Sequence, residues 1–144
     1  MRYYTETSLE EIRKVDSLSE LNLPEEYSSL IEEYLYNMAE SIGIIDKVFL
    51  FGSCARGGLN SFSDVDLYVM IKDGVDPKSK EVVRKFYSQY LPNTLYPDCD
   101  LLLRTRNQTV NSLNVFGSLI RGIIQEGVDL SGILRESSRA ARVC

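Results

Sequence analysis

The residues with the clearest chemical potential are Asp64 and Asp66, one valine apart in Ser63-Asp64-Val65-Asp66-Leu67. On an extended strand, side chains two positions apart share a face, so the two carboxylates stand together while Val65, Leu67 and Val69 point into the core. Like charges that close repel unless a cation lies between them. Oxygen donors on rigid backbone suit Mg2+ or Mn2+, which completes its shell with water and substrate phosphate. A second feature is Gly52-Ser53, directly after the apolar run Lys47-Val48-Phe49-Leu50-Phe51. Glycine lets backbone approach a ligand closely. A short helix opening at Ser53 would turn free amides and its positive dipole end toward an anion such as a triphosphate, with the Ser53 hydroxyl as a further donor. Alone, Asp-x-Asp is more often a solvated strand end, and Gly-Ser more often a capped turn. Joined by a spacer of ten residues, the two would face each other across neighbouring strands. A third carboxylate would complete the site. Asp100 precedes Leu101-Leu102-Leu103 and is expected to be the deeper candidate, in need of a partner if buried. Asp98, after Pro97, reads as a turn or the start of a strand. Either could hold a second metal or take the proton of an incoming hydroxyl.

Gly52-Ser53, the ten-residue spacer, Asp64-Val65-Asp66 and the embedded Ala55-Arg56-Gly57 together resemble the minimal nucleotidyltransferases, small members of the nucleotidyltransferase superfamily related to DNA polymerase beta. The resemblance spans roughly residues 42 to 130 and includes an apolar helix closed by Glu126-Gly127. It implies that Gly52 and Ser53 hold the triphosphate of ATP, with Arg56 beside the phosphates or bracing the loop. It implies that Asp64, Asp66 and Asp100 bind Mg2+ (or Mn2+) and form the catalytic set. The implied chemistry is in-line attack of an acceptor hydroxyl on the α-phosphorus with release of pyrophosphate. Small members often pair with a HEPN-type toxin as its antitoxin, so the implied acceptor is a toxin tyrosine that receives AMP. Two alternatives stand beside this: transfer to a small molecule of the aminoglycoside type, and an antitoxin that neutralises by contact alone. The residues up to about 22 depart from the smallest members and leave the partner surface open.

The elements that must position these residues follow from periodicity. Ser8 and Glu11 have capping-box spacing, opening a short amphipathic helix through Leu9, Ile12, Val15, Leu18 and Leu21. Pro24 suits the first turn of a second helix, in which Tyr27, Leu30, Ile31, Tyr34, Leu35, Met38 and Ile42 keep helical spacing up to Gly43. Strands are predicted over 47–51 and 64–71. A helix starting near Asp76-Pro77 would turn Val82, Val83, Phe86, Tyr87 and Tyr90 inward. A third strand is predicted near 99–103, and a last helix through Leu113, Phe116, Leu119, Ile120, Ile123 and Ile124. The fold class is therefore α+β, an α/β sandwich with a small mixed sheet of about three to four strands and helices packed on one side. Parallel and crossed pairings of the last two strands both fit. The expected division is an N-terminal helical extension over 1–22, a catalytic domain over 23–131 and a polar, frayed tail over 132–144.

Composition sets the remaining limits. A chain of 144 residues suits one domain with its own core. With no histidine, a Ser-His-Asp triad, a Cys-His pair and any histidine metal site are excluded. The net charge of −5 argues against a protein that coats nucleic acid or anionic membrane. Cys54, Cys99 and Cys144 lack disulfide or zinc spacing and read as reduced thiols. With no signal-peptide core and no membrane-length apolar run, the expected location is cytoplasmic, with no membrane partner. The N-terminal helix and Arg135, Arg139 and Arg142 are candidate assembly surfaces.

Overall fold

The computed structural model describes residues 3–60 and 62–143; Cys144 lies outside them. Helix α1 (Glu6–Glu10), strand β1 (Arg13–Lys14) and a 3-10 turn (Leu18–Leu21) lead into α2 (Glu25–Met38). Strand β2 (Ile45–Phe51), the one-turn helix α3 (Ser53–Arg56) and strand β3 (Val65–Ile71) follow. Then come α4 (Lys80–Arg84), continued by a π-helical turn (Lys85–Gln89), and β4 (Cys99–Thr105). The chain ends with α5 (Arg106–Ser112), α6 (Leu119–Glu126), β5 (Val128–Asp129) and α7 (Ser131–Val143). The five strands form one sheet in the order β1-β5-β2-β3-β4. β2 runs antiparallel to both β3 and β5, while β3–β4 and β1–β5 are parallel. The mixed α/β class is as expected, with two short strands more at one edge.

Both faces of the sheet are covered, which corrects the expectation of helices on one side. Strand alternation divides the core in two. Val48, Leu50, Val65, Leu67, Val69 and Ile71 pack with the apolar stripe of α2, with Val82 and Phe86, and with Leu134 of α7. Phe49, Tyr68 and Met70 point the other way, onto Tyr4, Leu9, Ile12, Leu113, Ile120 and Ile123. A strand buried on both faces loses its polar alternation, and Leu67 to Ile71 are all apolar or aromatic for this reason.

Three helices differ from the sequence expectation. The one expected through Leu21 stops at Glu10, and its start lies one turn earlier, where the Thr5 amide donates to Ser8 Oγ at 3.1 Å. Arg13 and Lys14 are spent instead on the parallel ladder with Val128 and Asp129. In the helix after Asp76-Pro77, Val82, Phe86 and Tyr90 are buried as expected, but Val83 and Tyr87 are exposed. Of the helix expected through Leu113 to Ile124 only the part in α6 forms; Leu113 and Phe116 lie on the loop between α5 and α6, Phe116 at 88% exposure. Tyr4 holds the loop in place. Its amide donates to Asn114 Oδ1 and its carbonyl accepts from Asn114 Nδ2, both at 2.8 Å. Lys47, almost fully buried, ties the same end together through Glu10 at 3.1 Å and Asp129 at 3.4 Å.

The segment expected to fray is helix α7. Leu134 is only 1% exposed within it, and the Ser131 hydroxyl accepts from the Val48 amide at 3.0 Å. Leu134→Ala is expected to lower stability by about 2–5 kcal/mol, the usual cost of deleting a buried leucine. Urea unfolding followed by circular dichroism measures this, and an unchanged midpoint would show that α7 adds nothing to the core.

Candidate active site

Asp66 lies on β3 and Asp100 on β4, and the parallel register pairs them directly. Neighbouring strands lie about 4.8 Å apart, so the two side chains stand next to each other. Both belong to the face that carries Tyr68 and Leu102 two residues further along, by strand alternation. Asp64 directly precedes β3 and shares this parity. On the other flank Phe51 pairs with Asp66, so the chain turns at Gly52 one residue past the carboxylate. The Gly-Ser corner and the Asp-x-Asp pair are thus adjacent, as their spacing suggested.

The corner depends on Gly52, at φ 73 and ψ −153. A Cβ there would lie 2.4 Å from Asp66 Oδ2, so the backbone and the carboxylate pack with no room for a side chain. The Ala55 and Arg56 amides both donate to the Gly52 carbonyl at 3.1 Å. The Ser53 and Cys54 amides are left at the open start of α3 without a partner among the described residues. Arg56 is exposed and pairs with Glu126 at 3.8 Å, and its charge also eases the ionisation of Asp66.

Asp66 carries the electrostatic load. Its carboxyl is pushed up to about 6, first by burial, then by the Asp100 charge and then by Asp64. Asp100 itself is exposed, so the expected depth of this residue is not observed, although it is the one in register with Asp66. Asp98 is exposed, and its carbonyl accepts from the Val65 amide at 2.9 Å at the start of the β3–β4 ladder. Burial raises the Cys54 thiol to about 11 and the Cys99 thiol to about 12, with the nearby carboxylates adding to it. Both thiols stay protonated at neutral pH and act as small packing groups.

Two consecutive carbonyls before β3 are fixed by side chains of the same core. The Tyr27 hydroxyl of α2 donates to the Ser63 carbonyl at 2.7 Å, and the Cys54 thiol donates to the Asp64 carbonyl at 3.5 Å. Tyr96 donates in turn to the Tyr27 oxygen at 3.2 Å, with the rings edge to face at 5.8 Å. Sequence reasoning placed Tyr27 only on the apolar helix face and passed over Tyr96. The available signal was that a buried tyrosine hydroxyl needs a partner.

Among the described residues, no three His, Cys, Asp or Glu side chains close onto one point as a ready-made metal cage. The donor set fits a hard divalent cation all the same. It is entirely carboxylate oxygen, and the mutual repulsion that raises Asp66 is what such a cation would relieve.

A mixed sheet with a Gly-Ser corner set against carboxylates on adjacent strands is the frame of a nucleotidyl-transfer fold. The chain belongs to the family described as "Polymerase beta, Nucleotidyltransferase", whose pattern matches residues 31–103. A Methanocaldococcus jannaschii protein named "Putative protein adenylyltransferase" is 41% identical over 46 residues, covering 32% of this chain and 46% of that one. The match therefore spans less than half of that relative's length. A crystal structure titled as a putative nucleotidyltransferase from Sulfolobus solfataricus aligns with 77% of this chain and 84% of its own, at 17% identity and a TM-score of 0.46. Among the described residues no helix is long and apolar enough to cross a membrane.

Proposed function

We propose that the chain is a Mg2+-dependent nucleotidyltransferase that moves AMP from ATP onto a tyrosine hydroxyl of a partner protein of the HEPN toxin type, acting in the cytoplasm as its antitoxin. The observation that carries the reading is the direct pairing of Asp66 with Asp100, one residue from the Gly52 corner. Gly52 and Ser53 would receive the triphosphate, with Arg56 leaving Glu126 to approach it. Asp64, Asp66 and Asp100 would hold the divalent ion. Bound there, the ion would neutralise charge on the attacking and leaving oxygens. Asp100, exposed at the edge, would accept the hydroxyl proton. The new bond joins the acceptor oxygen to the α-phosphorus, the α–β phosphoanhydride bond breaks, and pyrophosphate departs with its electron pair. The adenylyl donor and the protein acceptor are supported by the name of the M. jannaschii relative, and the HEPN partner by the sequence resemblance. The surface favours a macromolecular acceptor. Phe62 and Leu95, in the loops leading into β3 and β4, are 90% and 98% exposed, and exposed apolar side chains suit a protein contact.

Incubation of the purified chain with α-labelled ATP, MgCl2 and a HEPN-type partner should place AMP on a partner tyrosine, read by mass spectrometry. The Asp64→Asn/Asp66→Asn double variant should leave it unlabelled. Label on an aminoglycoside and not on protein, or silencing of the partner by the double variant without ATP, would replace this reading with one of the two alternatives.

A further inference from the structure

Beyond the acids, the same sheet face opens into a cavity of about 470 Å3. This is the size of many small-ligand sites. Tyr68 and Leu102 form its floor together with Ile120 of α6, and Arg104, Gln108 and Asn111 stand along its β4–α5 side. Tyr68 follows Asp66 by two residues and Leu102 follows Asp100 by two, so the cavity begins about 7 Å inward along the strands from the carboxylates. The floor is rigid. Thr109 Oγ1 spends its proton on the Thr105 carbonyl at 2.9 Å and so accepts from the Tyr68 hydroxyl at 2.7 Å. The wall is rich in donors. Gln108 Oε1 accepts from the Thr105 amide at 2.9 Å, which fixes the carboxamide and keeps its NH2 for another acceptor. The Asn111 side chain has no hydrogen-bond partner among the described residues.

This combination has a recognisable chemistry. Apolar side chains suit the faces of an aromatic ring system, and carboxamides pair donor and acceptor with the edge of a purine. The position selects the nucleotide over the acceptor. A protein acceptor meets the exposed edge at Asp100, whereas whatever hangs from the far side of the α-phosphate can run inward along β3 and β4. We propose that this cavity seats the base of a purine nucleoside triphosphate, with Gln108 and Asn111 reading its edge and Leu102 and Ile120 supplying apolar contact. The assignment rests on the triphosphate lying at Gly52, Ser53 and the acids.

Calorimetric titration of the full chain in MgCl2 without acceptor, using ATP, GTP, CTP, UTP and inorganic tripolyphosphate, separates the two layers. ATP and GTP should bind at least tenfold more tightly than CTP, UTP and tripolyphosphate. Gln108→Leu/Asn111→Leu, changed at two exposed helix positions, should erase that margin and leave tripolyphosphate binding unaltered. Photolabelling of the parent chain with 8-azido-ATP should modify peptides between residues 102 and 120, a readout independent of any variant. If tripolyphosphate binds but the four nucleotides are equivalent, or the double variant keeps the purine margin, the base site is wrong and the triphosphate site stands. If tripolyphosphate does not bind, the triphosphate site fails and the base site fails with it.

Discussion

Asp66→Asn is expected to reduce nucleotidyl transfer by about a thousandfold or more while leaving the folded chain at least as stable as the parent. On the proposed reading, the activity loss follows from deleting a charge that would balance a cation and a triphosphate; single groups aimed at developing charge are commonly worth about 10²–10³ in rate. The stability gain follows from the raised carboxyl. Its folded-state value, about 6, lies above the ordinary 3.8, so the folded chain holds the proton more tightly than the unfolded chain does. Without metal, the stabilising contribution of Asp66 is fully present below 3.8 and is lost as pH rises through about 6. Thermal melts in EDTA should therefore show the variant gaining on the parent between about pH 4 and pH 6, with a constant difference above that. Added Mg2+ should restore the parent at pH 7.5 and do little for the variant. A variant that melts lower than the parent at pH 7.5 would show that Asp66 is a structural support and not a site under electrostatic strain.

Gly52→Ala should damage the site through geometry. An alanine at φ 73 carries backbone strain of about 1–3 kcal/mol. Its Cβ also enters the space of Asp66 Oδ2, 2.4 Å away, and the carboxylate must swing aside. A displacement near 1 Å at a reacting centre costs roughly a hundredfold in rate. Gly57 provides the internal control: it has a comparable φ of 83 and nothing within 4 Å of its ideal Cβ. Gly57→Ala should share the loss of stability seen in urea titration and keep most of the transfer activity. If the two variants lose activity equally, the close approach of Gly52 to Asp66 is not what matters.

The legible parts of this protein are those where one physical requirement dominates. Asp64 and Asp66 stand out because charge interrupts a strand that is otherwise apolar, and α2 because six side chains bury along one stripe. The second covered face was also written in the sequence: the unbroken run Leu67 to Ile71 is longer than a half-exposed strand needs. Other features are decided by tertiary contact. Phe116 keeps helical spacing with Leu113 and Ile120, yet the amide pairing of Asn114 with Tyr4, 110 residues away, holds that stretch as a loop. Helix α7 was obscured because arginines and serines surround its one deeply buried leucine. At the site, register placed Asp100 opposite Asp66, whereas depth did not distinguish it: the strand runs along the exposed margin of the sheet. Tyr27 was hidden by its ring, which belongs to the core, while its hydroxyl belongs to the backbone before Asp64.

The parallel pairing of Arg13 with Val128 has a consequence for biosynthesis. The sheet cannot be finished until residue 128 has been made, because its first strand waits for a partner that follows it by 115 residues. Until then Leu9 and Ile12 lack the α6 side chains they finally meet, and the nascent chain carries a greasy, unpaired margin of the kind that chaperones bind. Slow translation ahead of residue 128 would prolong that vulnerable interval, and rapid completion would shorten it.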